Sequence, residues 1–294
     1  MQKESIVSME NIQKKFRNNC VLNNLSFSVQ ECTIYGLIGK NGAGKTTTLR
    51  IISGLLSASS GKVIFHKEKK YIRVGFLSEN NCLYNQLSVR DNIMFYLKMV
   101  GLDTQETLDY YIDLFGLYEF RKQRVNKLSK GMKRRVAMTR AIVGNPDVLL
   151  LDEPFDGIDI DSKMVIIKVV KEWVNNDNRC VIISSHNLNE IEEMCDVVGI
   201  IDKGKIIYQE KISEIKKKKI KCIRIVPKSI KDITCYFDAL NYEYDIIGEV
   251  IFLKSNLEES EEIFRSLVER FDIIEFNKIY YNLEEIYKKA IDNE

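Results

Sequence analysis

Residues 36–50 read Gly36-Leu37-Ile38-Gly39-Lys40-Asn41-Gly42-Ala43-Gly44-Lys45-Thr46-Thr47-Thr48-Leu49-Arg50. Gly39 to Thr46 fits G-x-x-x-x-G-K-[ST]. The apolar run Ile34–Ile38 in front predicts a buried strand, and the residues behind predict a helix. Between a strand and a helix, this pattern folds its backbone N–H groups into a nest for phosphate oxygens. The helix start adds the positive end of its dipole. Lys45 can reach β and γ phosphates, and the Thr46 hydroxyl can ligate Mg²⁺. Gly39, Lys40, Asn41, Gly42, Ala43, Gly44, Lys45, Thr46 and Thr47 are the candidate nucleotide contacts.

Two further apolar runs, Val148–Leu151 and Val181–Ile183, also end in polar residues and precede helix-like stretches. Strands alternating with helices predict an α/β fold with a mostly parallel sheet. Ligands of such sheets bind at the carboxyl ends of the strands. There the run Val148–Leu151 ends in Asp152-Glu153-Pro154. Adjacent carboxylates at a buried strand end are costly without positive charge nearby, which Mg²⁺ on a nucleotide would supply. Asp152 would then hold the metal, and Glu153 would polarise the attacking water. Taken in isolation, a solvated strand end is the alternative.

Composition narrows the function classes. With 294 residues, about two domains are expected, which excludes a disulfide-stapled mini-protein. Lys+Arg is 44 and Asp+Glu is 42, so nothing supports a general nucleic-acid-binding or polybasic membrane surface, and no nucleic-acid partner is expected. No apolar run approaches the ~18 residues that span a bilayer. The first residues show no hydrophobic signal region. Seven scattered cysteines without a CxxC pair suit a reducing cytosol, and two histidines are too few for a His-rich metal site.

At Leu128-Ser129-Lys130-Gly131-Met132-Lys133-Arg134-Arg135 the sequence resembles the ATP-binding cassette (ABC) ATPases. Its Ser129 lies 23 positions before Asp152, and the stretch is similar to the family's signature loop, L-S-G-G-Q followed by a basic helix. Ser129 and Gly131 match; Lys130 and Met132 depart. The variant resembles drug, bacitracin and lantibiotic exporters whose permease is a separate chain. The resemblance covers about residues 5–210. It implies a P-loop NTPase cassette: a RecA-like core, an antiparallel β subdomain and a helical subdomain at about 80–145.

The resemblance also implies roles. Phe16 matches the aromatic residue that stacks on adenine, with a core Phe as the alternative. Glu79, in Phe76-Leu77-Ser78-Glu79-Asn80, stands where the family usually carries Gln, which contacts Mg²⁺ or the water. A carboxylate can serve as that ligand, so the metal set is Thr46, Glu79 and Asp152. Asp159 matches the residue that organises the dimer interface, and His186 the one that contacts the γ-phosphate. Ser129 and Gly131 would complete the site of a second copy. The implied function is ATP hydrolysis by Lys45, Glu153 and His186 in a homodimer sandwiching ATP. The dimer would power a separate integral membrane permease from the cytoplasmic side of the membrane, with export of a drug or antimicrobial peptide favoured. Leu83, Tyr84 and Leu87 would dock that permease or pack inside the helical subdomain. A soluble ABC ATPase outside transport is the alternative.

The remaining 211–294 predicts a small α+β accessory domain. A basic run, Lys216–Lys219, marks the boundary with 1–210. Beyond it come a strand (Lys221–Val226), a helix capped by Ser229 (to Leu240) and two strands around Gly248. An amphipathic helix with Leu257, Ile263, Phe264, Leu267, Val268 and Phe271 on one face follows. A strand (Asp272–Tyr280) and a helix (Leu283–Ala290) close the chain. Strand-helix-strand-strand-helix-strand is the ferredoxin-like order.

Overall fold

A computed structural model describes residues 4–17, 19–66, 72–175, 179–218, 220–255 and 259–292. Lys219 of the basic run and Leu257 of the expected amphipathic face lie outside them. The chain divides into two compact units, at Glu210.

In chain order the first unit contains β1 (Ser5–Phe16), β2 (Asn19–Gln30), β3 (Thr33–Ile38), α1 (Lys45–Ile52), β4 (Ser60–Phe65) and β5 (Val74–Leu77). Next come α2 (Val89–Met99), α3 (Gln105–Leu114), α4 (Lys130–Ile142), β6 (Val148–Asp152) and α5 (Ile160–Val174). It ends with β7 (Cys180–Ser185), α6 (Leu188–Met194), β8 (Val197–Asp202) and β9 (Lys205–Lys211). One sheet is antiparallel, ordered β2-β1-β4; the other runs β5-β6-β7-β3-β8-β9 and is parallel from β5 through β8.

Every residue of β3, β6 and β7 is buried. Strands covered on both faces have no solvent side for polar residues, which is why their sequences are near-continuous apolar runs. Tyr35, Leu37, Leu150 and Ile182 share one core with Ile12, Leu22, Leu25 and Leu49, tying the two sheets together. Each such side chain fully buried contributes about 1.5–3 kcal/mol. The helices start where capping chemistry dictates. Ser88, Thr104, Ser129 and Asp159 accept from the backbone N–H groups of Asp91, Thr107, Met132 and Ser162.

In the second unit α7 (Ile212–Lys218) leads into β10 (Ile220–Pro227), α8 (Ile230–Ala239), β11 (Tyr244–Ile247), β12 (Val250–Leu253), α9 (Ser260–Arg270), β13 (Ile273–Tyr280) and α10 (Leu283–Asp292). Its sheet order is β11-β12-β10-β13, with β10 antiparallel to both neighbours. This is the split βαβ arrangement of a ferredoxin-like sheet. Ile223, Ile225, Phe237, Ile251, Leu253 and Leu267 form its core.

Two expectations change in this unit. Ser229 stands before α8 but its side chain makes no capping bond. Along α9, Ile263 and Leu267 are buried while Phe264 and Val268 are 43% and 52% exposed. The buried stripe is therefore narrower than the apolar one, because each step turns the helix by about 100° and carries those two residues to its margin. Among the described residues no helix is long and apolar enough to cross a membrane.

Candidate nucleotide site

The turn after β3 opens onto a cavity of about 650 Å³. Asn41, Gly42, Gly44, Lys45, Thr46 and Thr47 form one side of it; Asn19, Val21, Glu79, Glu153, Asp156 and His186 form the rest. Gly44 sits at φ +112°, and a Cβ there would come within 2.6 Å of Leu22 Cδ2. Only glycine meets both demands, the left-handed backbone and the close approach of β2. Lys45 begins α1 and is buried. Its Nζ donates to the carbonyls of Gly39 (2.7 Å) and Lys40 (3.3 Å) and lies 3.5 Å from Glu153 Oε1. The cation is therefore held by weak, neutral acceptors and one carboxylate at the cavity floor.

Pairing of β6 with β7 sets Asp152 beside Ser184. Ser184 Oγ donates to Asp152 Oδ1 at 2.7 Å, and Thr46 Oγ1 donates to the same oxygen at 3.1 Å. Asp152 Oδ2 is buried and has no hydrogen-bond partner. Glu153 follows in a left-handed conformation, φ +45°. Its N–H donates to Ser184 O (3.2 Å) and Oγ (3.1 Å), and its Oε2 is 2.9 Å from His186 Nδ1. With that spacing Nδ1 carries the proton, since a carboxylate only accepts.

Glu79, Glu153 and Asp156 line the cavity, and Asp152 lies against Thr46, so carboxylates crowd the place where phosphates would bind. The orphaned Asp152 oxygen next to the Thr46 hydroxyl suits a hard, oxygen-seeking cation such as Mg²⁺. Among the described residues no three His, Cys, Asp or Glu side chains are grouped to hold a metal alone. Such an ion would need phosphate oxygens to complete its shell, as Mg²⁺ in nucleotide sites does.

An uncharacterized ABC transporter ATP-binding protein of Methanocaldococcus jannaschii is 31% identical over 96% of this chain and 97% of its own length. The chain belongs to the ABC transporter ATP-binding family. A sequence model described as ABC transporter matches residues 22–156. The bacitracin transport ATP-binding protein of Bacillus licheniformis is 30% identical over 98% of this chain and 97% of that protein. A solved dimer of an ATP-binding cassette bound to ADP and Pi shares the fold, with TM-score 0.62 and 21% identity over 70% of this chain and 99% of that one. This protein is thus the ATP-binding subunit of an ABC transporter.

Not every residue singled out from the sequence of this ABC subunit reaches the cavity. Gly39 and Lys40 support Lys45 through their carbonyls. Ala43 is buried and its N–H is engaged by Lys40 O at 3.1 Å, so it packs the turn rather than lining it. Phe16, at the end of β1, is 46% exposed with Lys14 Nζ 4.9 Å from its ring centre, and Asn19 and Val21 of β2 form the wall instead. Ser129 and Gly131 open α4 away from the cavity wall. Gly131 has no room for a side chain: a Cβ would lie 2.1 Å from Asp159 Oδ2. Asp159 caps α5 through Ser162 N–H (2.8 Å), a bond that holds its carboxyl below the usual range.

Ser184, Asp156 and Arg134 were not singled out from the sequence of this subunit as site residues. Ser184 stands level with Asp152 at the polar end of β7, a register that no motif in the sequence marks. Asp156 lines the cavity and binds Lys130 Nζ at 3.1 Å. Arg134 gave no signal beyond a basic helix. The residue is 4% exposed, and burial pulls its pKa down to about 10, against the carboxylates of Asp152, Asp156 and Glu79. It remains charged at neutral pH.

Proposed function

We propose that this ABC subunit hydrolyses ATP as its Mg²⁺ complex and drives a separate membrane permease. The observation that carries the hydrolytic reading is Glu153, clamped at the cavity floor between Lys45 and His186. Its carboxylate is the base that takes a proton from the attacking water. His186 orients that carboxylate through Nδ1. The turn's N–H groups and Lys45 meet the β and γ phosphates, Lys45 leaving its weak carbonyl partners to do so. Thr46, Asp152 and Glu79 would hold Mg²⁺, which neutralises charge on the phosphates.

Ser129 and Gly131 lie off the cavity wall of their own chain, which supports a homodimer in which each copy completes the other's site. We assign residues 1–210 to the ATP-binding domain, with the helical subdomain at about 80–145, and 211–294 to an accessory domain. The likeness to a bacitracin transport protein supports a peptide antibiotic or drug as cargo, moved outward. The subunit then sits on the cytoplasmic face of the membrane, held there by its permease.

Tyr84 (47% exposed) packs edge-on against Phe95 at 4.9 Å, and its carbonyl accepts from the N–H of exposed Leu87 at 3.1 Å. This apolar surface supports permease docking. In membranes containing both subunits, phosphate release should be ATP-dependent and stimulated by the permease. Leu87→Asp should abolish that stimulation while leaving ATP affinity within about twofold, since a desolvated charge opposes docking and not nucleotide. Unchanged stimulation would remove Leu87 from the docking surface, and no phosphate release by the wild type would defeat the hydrolytic reading.

Glu79→Gln tests the metal set. Removing one of the crowded carboxylates should raise affinity for metal-free ATP several-fold, because like charge repels the phosphates. Affinity for Mg·ATP should change little, as an amide oxygen also ligates Mg²⁺. Calorimetry with and without EDTA measures both, and loss of Mg·ATP binding would contradict the assignment.

A further inference from the structure

Arg134 belongs to the helix behind the site, yet its guanidinium serves two segments that carry site carboxylates. Nη1 donates to the carbonyls of Ser78 (2.8 Å) and Glu79 (3.0 Å) and to Asn81 Oδ1 (3.0 Å). Nη2 donates to the carbonyls of Asp152 (2.7 Å) and Glu153 (2.8 Å), and Nε to that of Pro154 (3.0 Å). All three nitrogens are used, and five of the six acceptors are backbone carbonyls.

The second segment needs such a partner. At Glu153 the chain turns through a left-handed conformation that a non-glycine residue adopts only when its surroundings hold it there. Ser184 holds the N–H of Glu153, and Arg134 holds the carbonyl on each side of that turn and the one within it. The first segment is the loop after β5, whose Glu79 side chain faces the cavity from the other side. A planar fork fixes the directions of its donors, so the two backbones cannot shift independently while both are bonded to it. A lysine ammonium is a single point and cannot span them.

We propose that Arg134 is a positioning residue that locks the backbone of Glu79 to that of Glu153. It sets the spacing between the metal-side carboxylate and the water-side carboxylate. It touches neither nucleotide nor water. This inference rests on the hydrolytic reading of the site.

The test uses the full chain with Arg134→Lys and Arg134→Ala. Positioning predicts that kcat falls about 10–100-fold with KM for Mg·ATP within about threefold, since misplacement of about 1 Å costs that much in rate and little in binding. Hydrogen exchange should quicken in residues 78–81 and 152–153 together and stay unchanged elsewhere. Millimolar guanidinium ion should restore part of the rate to Arg134→Ala and none to the wild type. Wild-type kcat in a folded Arg134→Lys would overturn the proposal. So would faster exchange throughout the first unit with parallel loss of ATP affinity, or failure of both variants to fold, because each marks a general structural role. Absence of phosphate release from the wild type defeats the hydrolytic reading instead, and the exchange measurement then still decides whether Arg134 joins the two segments.

Discussion

Glu153→Gln should lower ATP turnover by about 10²–10⁴-fold, the range for removing a general base. The substitution preserves size, and the bonds from Ser184 and Arg134 to its backbone do not involve the side chain. The left-handed turn therefore persists, and His186 keeps an amide oxygen as partner at the position now 2.9 Å from its ring. Loss of one negative charge beside the γ-phosphate should also favour bound ATP. The variant should thus accumulate as an ATP-dependent dimer, visible by size-exclusion chromatography with Mg·ATP and absent with ADP. Normal phosphate release would remove Glu153 from the role of base.

Lys45→Ala should cost ATP affinity about 10²–10³-fold. A unit charge about 4 Å from a phosphate oxygen is worth about 4 kcal/mol at an effective dielectric of 20, or nearly three decades of binding. The turn itself should survive, because its shape comes from glycine backbone angles and the Ala43-to-Lys40 bond. Thermal unfolding without nucleotide checks that, and calorimetry checks the affinity. Tight binding by a folded Lys45→Ala would overturn the placement of phosphate at this turn.

The parts of the site legible in the sequence are those built from consecutive residues. Gly44, Lys45 and Thr46 act within one turn, so spacing alone carries their geometry. The carboxylate pair was legible for the same reason, being the end of one apolar strand. Ser184 and Arg134 act across the sheet and from behind it. Ser184 depends on the register of β7 against β6, and Arg134 binds carbonyls, which every residue has and no sequence motif marks. Asn19 and Val21 were equally silent, since β2 brings them to the cavity wall from alternate positions of one face and no motif marks them.

In the fold, the buried parallel strands and the order of the accessory elements were legible because burial on both faces, or on one, leaves its period in the sequence. Element ends moved by one or two residues, as at β10, where pairing with β13 extends the strand to Pro227. Burial along α9 could not be read from apolar residues alone. Its core accepts the row Ile263–Leu267 and leaves Phe264 and Val268 at the margin.

The left-handed backbone at Glu153 places folding and chemistry in competition at one residue. A non-glycine residue there costs about 1–3 kcal/mol of backbone energy, and glycine would relieve it. Glycine would also abolish the carboxylate between Lys45 and His186. A laboratory selection that rewards thermal resistance alone would lose its pressure to keep glutamate at this position, while a selection for turnover would keep it. Stabilised descendants of this subunit are therefore best bred with the rate in view, with codon 153 held fixed and the gains sought elsewhere.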